Sequence, residues 1–226
     1  MKEKAEPSGA IPMKAEGRPK HAVPLNFWSL YTMLRFRWLG IRFGRGLRAY
    51  GPVLLRLQGS PRNIEVGNNV TLLPYVDLRL RDHGRIVLHD GVYIETMARL
   101  LAANEATLEI GGESQIGIGS VVNAGADVRI GRYAAIGGYC SIIASEHSYF
   151  DPDIAIKHQD YHHAPIYINE GVWLASGVLV RPGVTIGAGA VIGAKSVVHA
   201  DLPANSVSFG NPAKPTKLRP VKMDPN

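Results

Sequence analysis

Cysteine is nearly absent from this 226-residue chain, with Cys140 standing alone. A single thiol excludes a disulfide scaffold and any multi-cysteine metal site. Long apolar runs are also missing: nothing approaches the roughly 18 residues that mark a membrane-spanning helix. The opening stretch, MKEKAEPSGAIPMKAEGRPK, has charges but no apolar h-region, so it does not read as a secretory signal. A reducing, cytoplasmic setting is the default expectation. Charged residues are modest at 19%, whereas hydrophobic residues reach 46%, which fits a folded core and excludes disorder over most of the length. Acidic residues are scarce at one end. Residues 1–50 hold ten Lys/Arg against three acids, and the remainder is close to balance. The net charge of +6 therefore belongs to the N-terminal segment, and no nucleic-acid partner is expected from it.

Glycine and proline are plentiful, at 25 and 15 residues, as in a chain that turns often. An internal repeat dominates the sequence. From Ile168 the chain reads in sixes: INEGVW, LASGVL, VRPGVT, IGAGAV, IGAKSV, VHADLP. First positions are aliphatic (Ile168, Leu174, Val180, Ile186, Ile192, Val198), and fifth positions are small or apolar. The same pattern, with phase breaks, starts at Ile110, Ile116, Val122, Ile130, Ile136 and Ile142, and more weakly at Val66, Leu72, Leu88 and Ile94. Six is neither the helical period nor simple strand alternation. It predicts a short strand and a turn per hexad, with first and fifth residues inward. Three sides make a coil, and the coils stack with strand spacing. About six coils are expected, near 66–83, 88–105, 110–127, 130–147, 168–185 and 186–203, in a stack of roughly 29 Å.

Two segments break the pattern. Residues 148–167, SYFDPDIAIKHQDYHHAPIY, lack inward aliphatics at sixes and read as an arm projecting from the coil. Residues 25–61 open with clumped aromatics and arginines, and Leu30, Met33, Leu34 and Trp38 fall at helical spacing. This predicts a basic amphipathic helical segment. It either caps the open end of the main domain or attaches peripherally to an anionic membrane through residues 25–49. Flanking tails are expected over 1–24 and 221–226.

The repeated [Ile/Leu/Val]-Gly-x-x-[Ala/Ser/Val]-x motif resembles that of the hexapeptide-repeat acyltransferases, over about residues 62–220. The resemblance implies an all-β fold, a left-handed parallel β-helix. Within that superfamily the chain is most similar to sugar and surface-polysaccharide O-acetyltransferases. Three stretches carry this likeness: SEHSYFDPD, the block APIYINEGVWLASGVLVRPGVTIGAGAVIGAKSVV, and the closing ADLPANSVSFGNPAKPTKLR.

The resemblance implies acetyl-CoA as co-substrate, a sugar or glycan acceptor, a homotrimer with active sites between subunits, and no metal. It maps the family's catalytic histidine onto His147. Acetyl transfer to a hydroxyl needs a base for the proton, a task that suits imidazole, and donors for the tetrahedral oxyanion, which backbone N–H groups can supply. Glu146 is a candidate for orienting the ring, although it occupies an inward-type position. Asn123, one coil earlier, is the expected acceptor-holding residue, and Trp173, outward just past the arm, lines the site or a subunit contact. Ser176 and Ala194 are implied groove residues for coenzyme A. Where relatives carry Thr-Lys this chain has His199-Ala200, so Lys195, Lys214, Lys217 and Arg219 are the cations left for its phosphates. His158, His162 and His163 invite a zinc reading, as in the gamma-type carbonic anhydrases that share the β-helix, but all three fall in the irregular arm. Cys140, at a fifth position, reads as a buried small residue. The competing functions are N-acetylation of a nucleotide-linked amino sugar or an antibiotic, a metal-dependent hydratase, and a non-catalytic scaffold.

Overall fold

The computed structural model describes residues 26–220, and the tails expected over 1–24 and 221–226 lie outside the described residues. The chain winds as a parallel β-helix with three faces. The first face stacks Arg42–Phe43, Ile64–Val66, Arg85–Leu88, Thr107–Ile110, Val128–Ile130, Ile166–Ile168 and Thr185–Ile186. The second begins at Arg48–Ala49 and includes Trp173–Leu174 and Val191–Ile192. The third runs from Leu54–Leu57 through Val121–Ala124 and Ser141–Ile143 to Val197–Val198.

The hexad explains this winding. Each first-position aliphatic from Ile168 to Val198 is buried, and so are the fifth-position residues from Val172 to Leu202. Like residues stack in register: Ile64 pairs with Ile86, Ile86 with Leu108, Leu108 with Val128 and Val128 with Ile166. The glycine at the second position answers a close approach. A Cβ on Gly117 would lie 2.5 Å from the Gly137 carbonyl carbon on the next coil, so a side chain there would push the coils apart. Cys140 is buried as expected, and its Sγ lies 3.2 Å from the Ala175 carbonyl oxygen.

The stack has seven coils rather than six, and the helical segment expected over 25–61 is helical only from Phe27 to Leu39. The extra coil spans Arg42–Leu57. Its inward residues do keep the sixes, with Ile41, Leu47 and Val53 all buried. Arginines at its outward positions give it the look of an amphipathic helix.

The helix, α1 (Phe27–Leu39), is capped by the Asn26 side chain, which accepts from the Ser29 amide, and ends at Gly40 with φ 77°. It covers the open end, and of the four residues at helical spacing only Met33 packs against the core. It buries Ser29, Thr32 and Phe36, while Leu30, Leu34 and Trp38 point to solvent. The first coil's open strand edge leaves backbone groups that need partners. The Ser29 hydroxyl meets two of them, donating to the Ala49 oxygen and accepting from the Ala49 amide at 3.2 and 3.0 Å, and Arg35 donates to the Val53 oxygen at 2.9 Å. At the other end, Ser206–Gly210 joins the second face and turns back as a hairpin with Ala213–Leu218.

Glu65 ties the first three coils together, accepting from both Arg42 and Arg85. Partial burial pushes its carboxyl up, but the guanidiniums of Arg85 and Arg42 more than reverse this and hold it below the usual carboxylate range. A depressed native pKa stabilises the fold above the unfolded-state value and is lost as pH falls through the native one. Glu65→Gln should therefore lower stability near neutral pH by about 1 kcal/mol or less. The gap from wild type should close below about pH 4 in thermal melts taken across pH.

Candidate active site

After the third-face strand Ser141–Ile143 the chain leaves the coil instead of turning onto the first face. Ser145–His147 departs and Tyr161–His163 returns, pairing antiparallel as Ser145 with His163, Glu146 with His162 and His147 with Tyr161. The expected arm is thus a hairpin with its root on the fifth coil. The chain is back on the first face by Ile166, slightly before the expected end at 167. The tip is exposed and carries Tyr149 and Phe150, stacked at 4.9 Å. Gly125 makes room for the root, since a Cβ there would meet Ser145 Oγ at 1.9 Å and His163 Nδ1 at 2.8 Å.

His147 sits at this root, partly exposed, with its ring 4.0 Å from that of Tyr161. Its Nδ1 is buried and meets no hydrogen-bond partner among the described residues. Glu146 does not orient the imidazole. Its carboxylate takes both oxygens to the Arg181 guanidinium, at 2.6 and 2.8 Å from Nη2. Arg181 Nη1 lies 3.2 Å from His199 Nδ1, and His199 Nε2 lies 3.3 Å from Asn211 Oδ1. This chain of polar groups anchors the departing strand to the last coil and the closing hairpin. Sequence reading missed it because Glu146 and Arg181 are 35 residues apart. The available signal was VRPGVT, where an arginine takes a position that neighbouring hexads give to Asn, Ala, Gly or His.

Asn123 faces outward on the third face, half-buried, one coil before the strand leading to His147, with Ile143 as its cross-coil partner. Trp173 also faces outward, 52% exposed, but on the second face. Within one chain the fold therefore does not bring Trp173 to His147.

Ser176, Ala194 and Lys195 share the corner between the second and third faces, all exposed. The Lys195 amide donates to the Ser176 oxygen at 3.0 Å, so the two lie on successive coils. Lys214 pairs with Phe209 in the closing hairpin, and the Phe209 ring lies against Gly193 of that corner. The four residues implied for coenzyme A are thus gathered at one place, across the third face from the arm root. The Arg219 guanidinium donates to the Gly189 oxygen at 2.9 Å. Lys217 pairs with Val207 on the hairpin.

His158, His162 and His163 all lie on the arm, with His163 Nδ1 3.0 Å from Ser145 Oγ. Among the described residues no three potential ligands are grouped as a metal site would require. A groove of about 900 Å³ opens elsewhere, along the first face and the corner after it. Its charged lining includes Asp90, Glu109, Glu113 and Glu170 against Arg129 and Arg132, an acidic excess that disfavours an anionic ligand such as coenzyme A.

Residues 165–200 match the family described as bacterial transferase hexapeptide (six repeats). No curated protein matches the chain by sequence. Among solved structures, the chain is similar to the polysialic acid O-acetyltransferase OatWY, with 18% identity and TM-score 0.57 over 81% of this chain and 93% of that one. It is also similar to AntD, an N-acyltransferase from Bacillus cereus, at 18% identity and TM-score 0.58, over 85% of this chain and 90% of that one. The polySia-specific acetyltransferase NeuO aligns at 25% identity and TM-score 0.48, over 81% and 90%. Residues 165–200 carry the hexapeptide repeat of the bacterial transferases, and the OatWY and AntD likenesses agree with the seven stacked coils on a parallel β-helix.

Proposed function

We propose that this protein is an acetyl-CoA-dependent O-acetyltransferase that acts on a hydroxyl of a sugar or surface-polysaccharide intermediate, with His147 as general base. The observation that carries the reading is the position of His147. It lies at the root of a hairpin arm, in the SEHSYFDPD stretch that resembles the family's catalytic segment, and the third face separates it from the Ser176–Lys195 corner. That face offers a track for the pantetheine arm, with the phosphates at Lys195 and Lys214 and the thioester near His147.

The imidazole of His147 takes the acceptor hydroxyl proton as the oxygen attacks the thioester carbonyl carbon. Backbone N–H groups of the coil hold the oxyanion. The tetrahedral intermediate collapses with cleavage of the C–S bond. The thiolate leaves, the imidazolium returns the proton to it, and the acceptor keeps the acetyl ester. Asn123 holds the acceptor on the coil below. Trp173 serves the same site from a neighbouring subunit, which makes a trimer the functional unit. Two facts support that assembly: Trp173 and His147 lie on different sides of one chain, and the buried Nδ1 of His147 has no partner among the described residues of this chain.

The test is thiol release from acetyl-CoA against a panel of sialosides, other glycans and amino sugars, with the product then treated with mild base. Release that depends on a hydroxyl acceptor and yields a base-labile acetyl group supports O-acetylation. A base-stable product assigns N-acylation, the chemistry named for AntD. An active monomer would overturn the trimer.

A further inference from the structure

Helix α1 presents its apolar side to solvent. Phe27, Leu30, Tyr31, Leu34 and Trp38 are 71, 49, 46, 60 and 84% exposed. Their spacing puts them on one side of the helix, opposite Ser29, Thr32 and Phe36. The inversion follows from the job of the inner face. The open edge of the first coil requires hydrogen-bond partners, so polar Ser29 and Arg35 turn inward and the large apolar residues are left outside. A continuous exposed apolar stripe of this kind marks an interaction surface.

The charge around the stripe identifies what it meets. Residues 26–64 contain seven arginines and no acidic residue. Among the described residues, Arg37, Arg45, Arg48 and Arg62 pair with no carboxylate. A second copy of this end would bring two arginine clusters face to face, and like charges facing each other across an interface are costly. An anionic bilayer satisfies both features at once. Its acyl boundary takes Phe27, Leu34 and Trp38, its headgroup level suits Trp and Tyr, and its phosphates face the arginines.

We infer that α1 docks this end of the β-helix onto an anionic lipid surface, lying in the interfacial plane with its apolar stripe inserted. The inference stands apart from the transferase reading, because lipid binding can be measured without acetyl-CoA or an acceptor.

The experiment is co-sedimentation of the full chain with vesicles of phosphatidylcholine alone and of phosphatidylcholine mixed with phosphatidylserine. Wild type should bind the anionic vesicles at least tenfold better than the neutral ones, and salt should weaken the binding. Trp38→Ser and Leu34→Ser lie on the exposed stripe, so their thermal melts should match wild type while vesicle binding drops. Arg37→Ser combined with Arg45→Ser should weaken anionic binding on the order of tenfold or more, since each basic residue near such a surface contributes about 1 kcal/mol. Three results would each overturn the inference: no sedimentation with either vesicle, equal binding to both, or a folded Trp38→Ser variant that binds like wild type. A concentration-dependent mass increase that Trp38→Ser abolishes, without lipid binding, would assign the stripe to a second copy instead.

Discussion

Replacing His147 by Ala should lower acceptor-dependent thiol release by about 10²–10⁴-fold, the range attributed to a positioned general base. The loss should fall on kcat. The side chain lies at the arm root, across the third face from the Ser176–Lys195 corner, so acetyl-CoA should still bind near its wild-type affinity. Stability should change little. The imidazole is only partly buried, Nδ1 makes no hydrogen bond among the described residues, and the packing lost is one ring contact with Tyr161. Steady-state kinetics beside a denaturation curve separates these effects. A variant that keeps within tenfold of wild-type kcat would remove His147 from the chemistry.

Leu108→Ala should do the reverse. Leu108 is fully buried in the fourth coil, with Ile86 and Val128 as its register neighbours above and below. Truncating a buried leucine costs about 2–5 kcal/mol, because transfer free energy is lost and a cavity remains. In a stacked repeat each coil contacts only its neighbours, so a gap here weakens the coupling between the two halves of the solenoid. Denaturant unfolding should show a much lower midpoint. Protein that is still folded should keep most of its turnover, since His147 and the Ser176–Lys195 corner sit on later coils and Asn123, on the same coil, lies on a different face. A loss below 1 kcal/mol would mean that the coils collapse around the missing side chain.

The repeat was legible because the hexad is a local property. A six-residue period names the inward residues, and every first position from Ile168 to Val198 is buried. The first coil was harder to see. Ile41, Leu47 and Val53 keep the period, but arginines at outward positions imitate a helical stripe. The buried side of the helix was not legible, for a different reason. Amphipathic spacing says which residues share a side, whereas the choice of buried side here was made by the unpaired edge of the first coil, which called for Ser29 and Arg35. The arm was visible as a break in the repeat, but its return as a hairpin pairing His147 with Tyr161 was not. The Glu146–Arg181 pair joins residues 35 apart through a surface that exists only once the coils stack. Face assignment, by contrast, was available. Counting hexads in threes separates Trp173 from Asn123, and the structure does place them on different faces.

Binding of acetyl-CoA to this β-helix can be tested without knowledge of the acceptor. The measurement is the thermal midpoint of the purified protein titrated with acetyl-CoA. A ligand that binds only the folded state at a hundred times its Kd adds about 2.7 kcal/mol, which at roughly 2–4 °C per kcal/mol for a domain of this size raises the midpoint by roughly 5–11 °C. The expected result is such a saturable rise, reduced when Lys195 and Lys214 are replaced by Glu. A midpoint that stays flat to millimolar acetyl-CoA, in protein shown to be folded, would contradict acetyl-CoA binding.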